Sequence, residues 1–133
     1  MAKIKHLAII SVDPKKLALF YQNVFGLKIL KYADNGSVFL TDGYLNLALL
    51  TNKAAGKPNG LNHFGFVVDN NEEIFERYNE IGMKAPRKRP ADRHYAEYRG
   101  FDPDGNNFDL SENGFEDVRP DRVPSKKKSD LVS

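Results

Sequence analysis

The hydrophobic pattern of this chain changes from strand-like alternation to helical spacing and back again, and the same order of patterns occurs in both halves. Alternating apolar residues at 3–10 predict a strand, and apolar residues at helical spacing follow it. Asp13 and Pro14 are typical of the start of a helix, and Gly26 is typical of its end. Hairpin turns at Asn35-Gly36 and Asp42-Gly43 then separate three predicted strands, at about 27–33, 36–41 and 44–50.

The second half repeats this order after a Gly- and Pro-containing linker at 52–60. A strand is predicted at 61–68, Asn70 with Glu73 resembles a capping box, and Gly82 closes the helix. Three further strands are predicted at about 83–88, 94–101 and 106–111. The sequence therefore predicts an α+β fold made of two βαβββ modules that arose by internal duplication.

The length of 133 residues fits one domain whose halves share a core, because either half alone would bury too little surface. We expect this domain to span 1–115, with module one at 1–52 and module two at 60–115. The remaining 116–133 is rich in Lys and Arg, has no hydrophobic period, and is predicted to be a flexible basic tail.

Composition excludes several classes of function. The formal net charge of +2 is close to balance, so nucleic acid is not an expected partner. The chain has no cysteine, which removes disulfides, thiolate zinc sites and cysteine nucleophiles. No apolar run approaches the length of a membrane span, and the first residues do not resemble a signal peptide. We therefore expect a cytoplasmic protein without a membrane partner.

His6 and His63 are the strongest candidates for chemistry, because each lies near the start of the first strand of its module. Strand alternation places Asp109 on the face opposite Phe108 and Leu110. If the strands curl around a concave side, these two histidines and Asp109 can meet there. Two imidazoles and one carboxylate form a facial set that binds a divalent metal and leaves positions open. The alternative is that the histidines are structural and that Asp109 stabilises the neighbouring turn.

Two residues of the predicted strand 94–101 are further candidates. Glu97 is predicted to act as a fourth ligand or a general base, or else to pair with Arg99 across neighbouring strands. Tyr95 has the same strand parity and could donate a hydrogen bond to a substrate oxyanion, or could be structural. His94 adjoins the basic segment 86–93, which would either recruit an anionic substrate or simply be solvated.

Three features of the chain resemble the vicinal oxygen chelate superfamily, which includes glyoxalases, extradiol dioxygenases, epimerases and bleomycin resistance proteins. They are the duplicated His-x-Ala/Gly pattern, the Asp-Pro helix start with its Phe-Gly end, and the closing segment D-P-D-G-N-N-F-D-L. The resemblance covers about 3–112. It implies that the two modules form a curved mixed sheet, a metal-binding cup, with the helices on the outside.

The resemblance also implies a ligand set. His6 and His63 match the two histidine ligands, and Asp109 matches a carboxylate ligand that is usually Glu. Ala48 stands where glyoxalases of this family carry a further Glu ligand. The remaining three-ligand set is similar to that of the extradiol dioxygenases. The implied cofactor is a divalent ion, Fe, Mn, Ni or Zn, and the sequence does not select one of them.

The expected function is therefore that of a metal-dependent enzyme acting on a small substrate chelated through vicinal oxygens. Extradiol-dioxygenase-like chemistry is favoured, and the alternatives are a glyoxalase-like lyase or isomerase, or a non-catalytic antibiotic-binding protein. The resemblance further implies a homodimer. Whether the cup forms within one chain or between two is left open by the sequence.

Overall fold

The computed structural model describes residues 2–52, 58–90 and 96–115 of the chain. These residues form two helices and eight strands, which confirms the predicted α+β fold. In chain order they are β1 Lys3–Ser11, α1 Pro14–Phe25, β2 Lys28–Tyr32, β3 Val38–Thr41, β4 Asn46–Thr51, β5 Gly60–Val67, α2 Asn71–Glu80, β6 Arg87–Lys88, β7 Tyr98–Phe101 and β8 Asn107–Ser111.

All eight strands form one mixed sheet with the order β2-β3-β4-β1-β5-β8-β7-β6. Within each module the first strand pairs in parallel with the last, β1 with β4 and β5 with β8. The two first strands, β1 and β5, pair antiparallel at the centre of the sheet. The two modules are thus related by an approximate twofold axis, which passes between β1 and β5.

The helix caps follow from local sequence. The Asp13 side chain accepts a hydrogen bond from the Lys16 backbone at the start of α1, and Gly26 ends this helix with a φ of 74°. At the start of α2, the Asn70 side chain accepts from the backbone N–H of Glu72. These caps fix where each chain segment leaves the sheet and returns to it.

Both helices pack on the same side of the sheet. Ala18 of α1 belongs to a cluster with buried leucines of β3 and β4, and Ile74 and Tyr78 of α2 pack against Phe108 and Leu110. The prediction that Phe108 and Leu110 lie beneath a helix is therefore confirmed. Residues of opposite parity, which include the candidate ligands, face the other side of the sheet.

Two strands of the second module, β6 and β7, are clearly shorter than predicted. β6 contains only two residues, and Pro86 directly before it cannot donate a ladder hydrogen bond. β7 begins at Tyr98, and residues 96 and 97, which belong to the predicted strand 94–101, are not in a strand. Tyr95 and His94, like the predicted tail 116–133, lie outside the described residues. Neither helix of the described chain is long and apolar enough to cross a membrane.

Candidate metal centre

The candidate site is built on one row of directly paired residues that crosses the middle of the sheet. Asn46 of β4 pairs with His6 of β1, and His6 pairs with Gly65 of β5. Gly65 pairs with Asp109 of β8, which in turn pairs with Arg99 of β7. Directly paired residues project from the same face of a sheet. Residues that are distant in sequence are therefore brought together by strand order alone.

His63 joins this row because it lies on β5 two residues before Gly65, on the same face. Its Nε2 atom lies 3.2 Å from Oδ2 of Asp109, and Nε2 of His6 lies 4.0 Å from the same oxygen. The two imidazole centroids are 5.3 Å apart, and all three residues are buried. The predicted His6, His63 and Asp109 thus meet within a single chain, without a contribution from a second subunit.

Arg99 contacts the other oxygen of the same carboxylate. Its Nε and Nη2 atoms each lie 2.8 Å from Oδ1 of Asp109. Charge-assisted hydrogen bonds from a planar guanidinium fix the orientation of a carboxylate strongly. Because Oδ1 is held by Arg99, Oδ2 is directed toward the two imidazoles.

The contacts of His63 are those expected of a cation ligand. Its Nδ1 lies 2.7 Å from Oδ1 of Asn62, and its Nε2 faces the Asp109 carboxylate. A neutral imidazole carries one N–H only, so it cannot donate to both oxygens. With the proton on Nε2, His63 donates a hydrogen bond to Asp109 in the metal-free protein; with the proton on Nδ1, the Nε2 lone pair is free to bind a cation together with the Asp109 oxygen.

The spacing of the donor atoms also fits a metal ion. The three groups each offer one ligand atom, and these atoms all lie within 4.8 Å of one another. An ion bound at about 2.1 Å separates neighbouring octahedral ligands by about 3 Å and opposite ones by about 4 Å. Small side-chain rotations therefore suffice to place all three groups around one ion, and the residues form a potential divalent metal site.

The electrostatics of the site favour ligands that are ready to bind. Burial, followed by the charge of His63, lowers the pKa of His6 from 6.5 to about 4, against the opposing effect of Asp109. Burial alone would raise the pKa of Asp109, but the hydrogen bond and charge of His63, together with Arg99, lower it below its usual value. At neutral pH, His6 is therefore neutral and Asp109 is ionised, as metal ligation requires.

The lowered pKa of His6 predicts that the metal-free protein loses stability as pH falls from about 6.5 toward 4. In this window the unfolded chain binds a proton at His6 that the folded chain excludes, so protonation favours unfolding. Protonation of His6 lowers the free energy of unfolding by at most about 3 kcal/mol between pH 6.5 and pH 4, and has no effect above pH 6.5. Urea unfolding in EDTA at pH 7.5, 6, 5 and 4.5 measures it, with His6→Gln as the matched control. Equal pH slopes for both proteins would contradict this assignment.

A small cavity opens beside the three candidate ligands. Its described lining adds two arginines and four apolar residues to His6, His63 and Asp109: Arg89, Arg99, Phe39, Ala48, Leu50 and Ala96. Its volume is about 80 Å³. The cavity is therefore small, cationic on one side and apolar on the other.

Ala48 lies at the position that the approximate twofold axis relates to Asp109. Ala48 pairs with Ala8, which is two residues after His6, and Asp109 pairs with Gly65, which is two residues after His63. The first module therefore presents a methyl group at the point where the second presents a carboxylate. This agrees with the predicted absence of a fourth acidic ligand at Ala48.

Glu97 does not join the three candidate ligands in the structure. Its carboxylate accepts hydrogen bonds from the Ser111 hydroxyl and the Glu112 backbone N–H, at 2.7 and 2.6 Å. Side-chain amides of Asn71 and Asn113 also approach it, at 3.4 and 3.5 Å. These contacts bind Glu97 to the end of β8. Arg99, its predicted alternative partner, pairs with Asp109 instead.

Sequence reasoning missed three residues that touch the site: Arg99 as the partner of Asp109, Asn62 beside His63, and Phe115. The Phe115 ring stacks on His6 with centroids 4.7 Å apart and an interplanar angle of 14°. The pairing of Arg99 with Asp109 could be found from the turn between β7 and β8, which a backbone hydrogen bond between Asp102 and Asn106 closes. Three residues outward from this pair on each strand, Arg99 lies opposite Asp109. No comparable signal identifies Phe115.

The model of the Glyoxalase/Bleomycin resistance protein/Dioxygenase superfamily matches residues 3–110, which span both modules. This chain belongs to that superfamily. Its members are often enzymes, and many act on small molecules. The match confirms the resemblance on which the predicted cup rested.

One curated relative and two solved structures are similar to this chain. A probable trivalent organoarsenical cleaving enzyme of Bacillus subtilis (strain 168) is 35% identical over 116 residues, 81% of this chain and 78% of its own. The 2,3-dioxygenase LapB of Pseudomonas sp. KL28 has a TM-score of 0.64 at 19% identity, over 82% of this chain and 40% of its own. Methylmalonyl-CoA epimerase of Mycobacterium tuberculosis has a TM-score of 0.58 at 14% identity, over 80% of this chain and 85% of its own. At such identities the two structures establish the shared fold only.

Proposed function

We propose that this protein is a metal-dependent enzyme acting on a small substrate that binds a divalent ion through two vicinal oxygens. Extradiol-dioxygenase-like chemistry is the favoured reaction. The observation that carries the proposal is the convergence of three potential ligand atoms, with His63 Nε2 3.2 Å and His6 Nε2 4.0 Å from Oδ2 of Asp109. A bound divalent ion would act as a Lewis acid on the two substrate oxygens.

The number of ligands supports the preference for dioxygenase-like chemistry. His6, His63 and Asp109 supply three donors, and Ala48 offers none at the twofold-related position. A two-histidine, one-carboxylate set leaves the remaining positions on one side of the ion free. A bidentate substrate and a second small molecule then have room to bind together.

The side chains around the proposed ligands have separate tasks. Arg99 holds Asp109 so that a single oxygen, Oδ2, is presented to the ion. Oδ1 of Asn62, 2.7 Å from Nδ1 of His63, can accept the ring proton there and so free Nε2 for the ion. Phe39, Ala48, Leu50 and Ala96 provide an apolar wall that limits water beside the substrate. The cavity of about 80 Å³ admits the chelating end of a substrate, whose remainder would extend toward the opening.

Oxygen consumption tests the favoured reaction. Protein freed of metal with a chelator would be loaded anaerobically with Fe(II), and catechol and air would then be added. We expect oxygen uptake equal to the catechol consumed and a product whose mass is catechol plus both oxygen atoms. The same protein reloaded with Zn(II) is the control, because Zn(II) has no redox chemistry.

The glyoxalase-like alternative predicts a different result in the same experiment. Isomerisation of a thiohemiacetal without oxygen uptake, in protein loaded with Ni(II) or Zn(II), would favour a lyase or isomerase. If no divalent ion binds the folded protein, neither reaction is supported.

The Arg99 ion pair favours one non-catalytic candidate, a small-molecule binding protein such as an antibiotic-binding member of this superfamily. Arg99 already neutralises the charge of Asp109, so the acid has a partner without any metal. This candidate predicts ligand binding of equal strength in the presence and absence of EDTA, which isothermal titration measures.

The residues of this chain do not suit the substrate of the curated relative. Trivalent arsenic is a soft centre, and soft centres prefer thiolate ligands. The present sequence contains no cysteine. We therefore propose an oxygen-chelating substrate rather than a trivalent organoarsenical.

A further inference from the structure

His6 and His63 differ in how their second ring nitrogen is satisfied. Nδ1 of His63 contacts Oδ1 of Asn62. Nδ1 of His6 is buried and has no hydrogen-bond partner among residues 2–52, 58–90 and 96–115. Metal-binding histidines almost always donate this N–H to an acceptor, which fixes both the tautomer and the ring orientation. An acceptor for His6 should therefore lie close to it.

Asn46 is the residue in position to supply that acceptor. It pairs directly with His6 in the sheet, and its side chain is therefore on the same face. Only 3% of its surface is exposed, and its Oδ1 is buried without a hydrogen-bond partner in the described part of the chain. An unpaired buried acceptor and an unpaired buried ring nitrogen thus belong to directly paired residues, and the two atoms are not hydrogen-bonded to each other in the structure.

Phe115 connects these two residues. Its backbone carbonyl accepts a hydrogen bond from Nδ2 of Asn46, which fixes which end of the amide carries the free oxygen. Its ring stacks on the His6 imidazole. The stacking depends on Gly65, because a Cβ at that position would lie 2.7 Å from Cζ of Phe115 and 3.0 Å from Cβ of His6. Phe115 thereby holds both Asn46 and the ring plane of His6.

We infer that Asn46 and Phe115 are positioning residues for His6. A rotation of the Asn46 amide or of the imidazole would let Oδ1 of Asn46 accept the Nδ1 proton of His6, and Nε2 is then left unprotonated toward Asp109. Each imidazole of the site is then held by an asparagine amide, Asn46 in the first module and Asn62 in the second, from unrelated sequence positions. The metal-binding consequence rests on the proposed function, whereas the tautomer does not.

The tautomer of His6 tests the inference in metal-free protein. Long-range ¹⁵N–¹H correlation spectra at pH 7.5 in EDTA distinguish an Nδ1-protonated imidazole from an Nε2-protonated one. We expect His6 to be protonated at Nδ1, and the Asn46→Leu variant to gain the Nε2-protonated form. A wild-type His6 that carries its proton mainly on Nε2 would overturn the inference, whatever metal the protein binds.

Mn(II) titration tests the consequence for ligation. Asn46→Leu removes the acceptor and should weaken Mn(II) binding by about 10–100-fold. Asn46→Asp keeps an acceptor oxygen and should bind Mn(II) at least as tightly as wild type. Phe115→Leu should weaken binding by about tenfold, and it supplies a second reading if Asn46→Leu does not fold. Asn79→Leu, on the exposed face of α2, is the control and should change nothing.

The two claims fail in different ways. Wild-type protein that binds no Mn(II), with His6 protonated at Nδ1, would contradict the proposed function and leave the positioning role intact. Wild-type protein that binds Mn(II) equally well with Leu or Asp in place of Asn46 would contradict the positioning role alone.

Discussion

The Asp109→Asn variant should lose divalent metal binding by more than about 100-fold, because it removes the only carboxylate among the three candidate ligands. Asn has the same shape as Asp but no charge, so the cavity itself is preserved. In EDTA the variant should also be less stable by about 1–3 kcal/mol, since the mostly buried Arg99 loses its ion-pair partner. Metal titration and urea unfolding measure these two effects separately.

Two further variants make this prediction specific. Asp109→Glu restores the charge and lengthens the side chain by one methylene, so it should recover most of the metal affinity. Asp104→Asn alters an exposed acid in the turn between β7 and β8 and should leave metal binding unchanged. Metal affinity that is equal in wild type and Asp109→Asn would remove Asp109 from the ligand set.

The Ala48→Glu variant should gain metal affinity by at least about tenfold. The twofold relation places residue 48 opposite Asp109, so a carboxylate there can supply a fourth ligand from β4. A new anion close to a divalent ion in a buried cavity is strongly attracted to it. The same ligand occupies a position that the substrate needs, so any oxygen uptake with catechol should fall sharply.

Ala48→Gln is the matched control because it has nearly the same size without the charge. In EDTA the Glu variant should melt at a lower temperature than the Gln variant, since it buries a second carboxylate in the cavity that already contains Asp109. Added Mn(II) should reverse that order. If both variants bind Mn(II) equally, residue 48 does not face the ion and the twofold assignment of the site is wrong.

Local signals were sufficient to predict the framework of the fold. Asp13 and Pro14 define the start of α1, because the Asp13 side chain accepts a free backbone N–H of the first turn and Pro14 has no N–H to satisfy. Gly26 defines its end, because it adopts the left-handed conformation that closes a helix. The duplicated order of apolar periods then gives the two modules. The extent of β6 was overestimated, because the apolar pattern at 83–86 carried no information on which backbone groups would find a ladder partner.

The candidate ligands could be predicted, whereas their supporting residues mostly could not. His6 and His63 were found because duplication makes them equivalent, and Asp109 because an acid in a strand requires a partner. Arg99 and Phe115 act through contacts across the sheet that depend on strand order and register. Glu97 was the converse case: it was predicted to be a ligand, a general base or a partner of Arg99, and its carboxylate accepts a hydrogen bond from Ser111 at the end of β8.

The central claim is that one divalent ion binds between the two modules of a single chain. A crystal structure of the protein grown with Mn(II), with anomalous data at the manganese edge, tests it most directly. We expect a single strong peak at about 2.0–2.3 Å from Nε2 of His6, Nε2 of His63 and Oδ2 of Asp109, with Arg99 still bound to Oδ1. An empty site with the His63–Asp109 contact unchanged, or a manganese peak elsewhere on the protein, would contradict it.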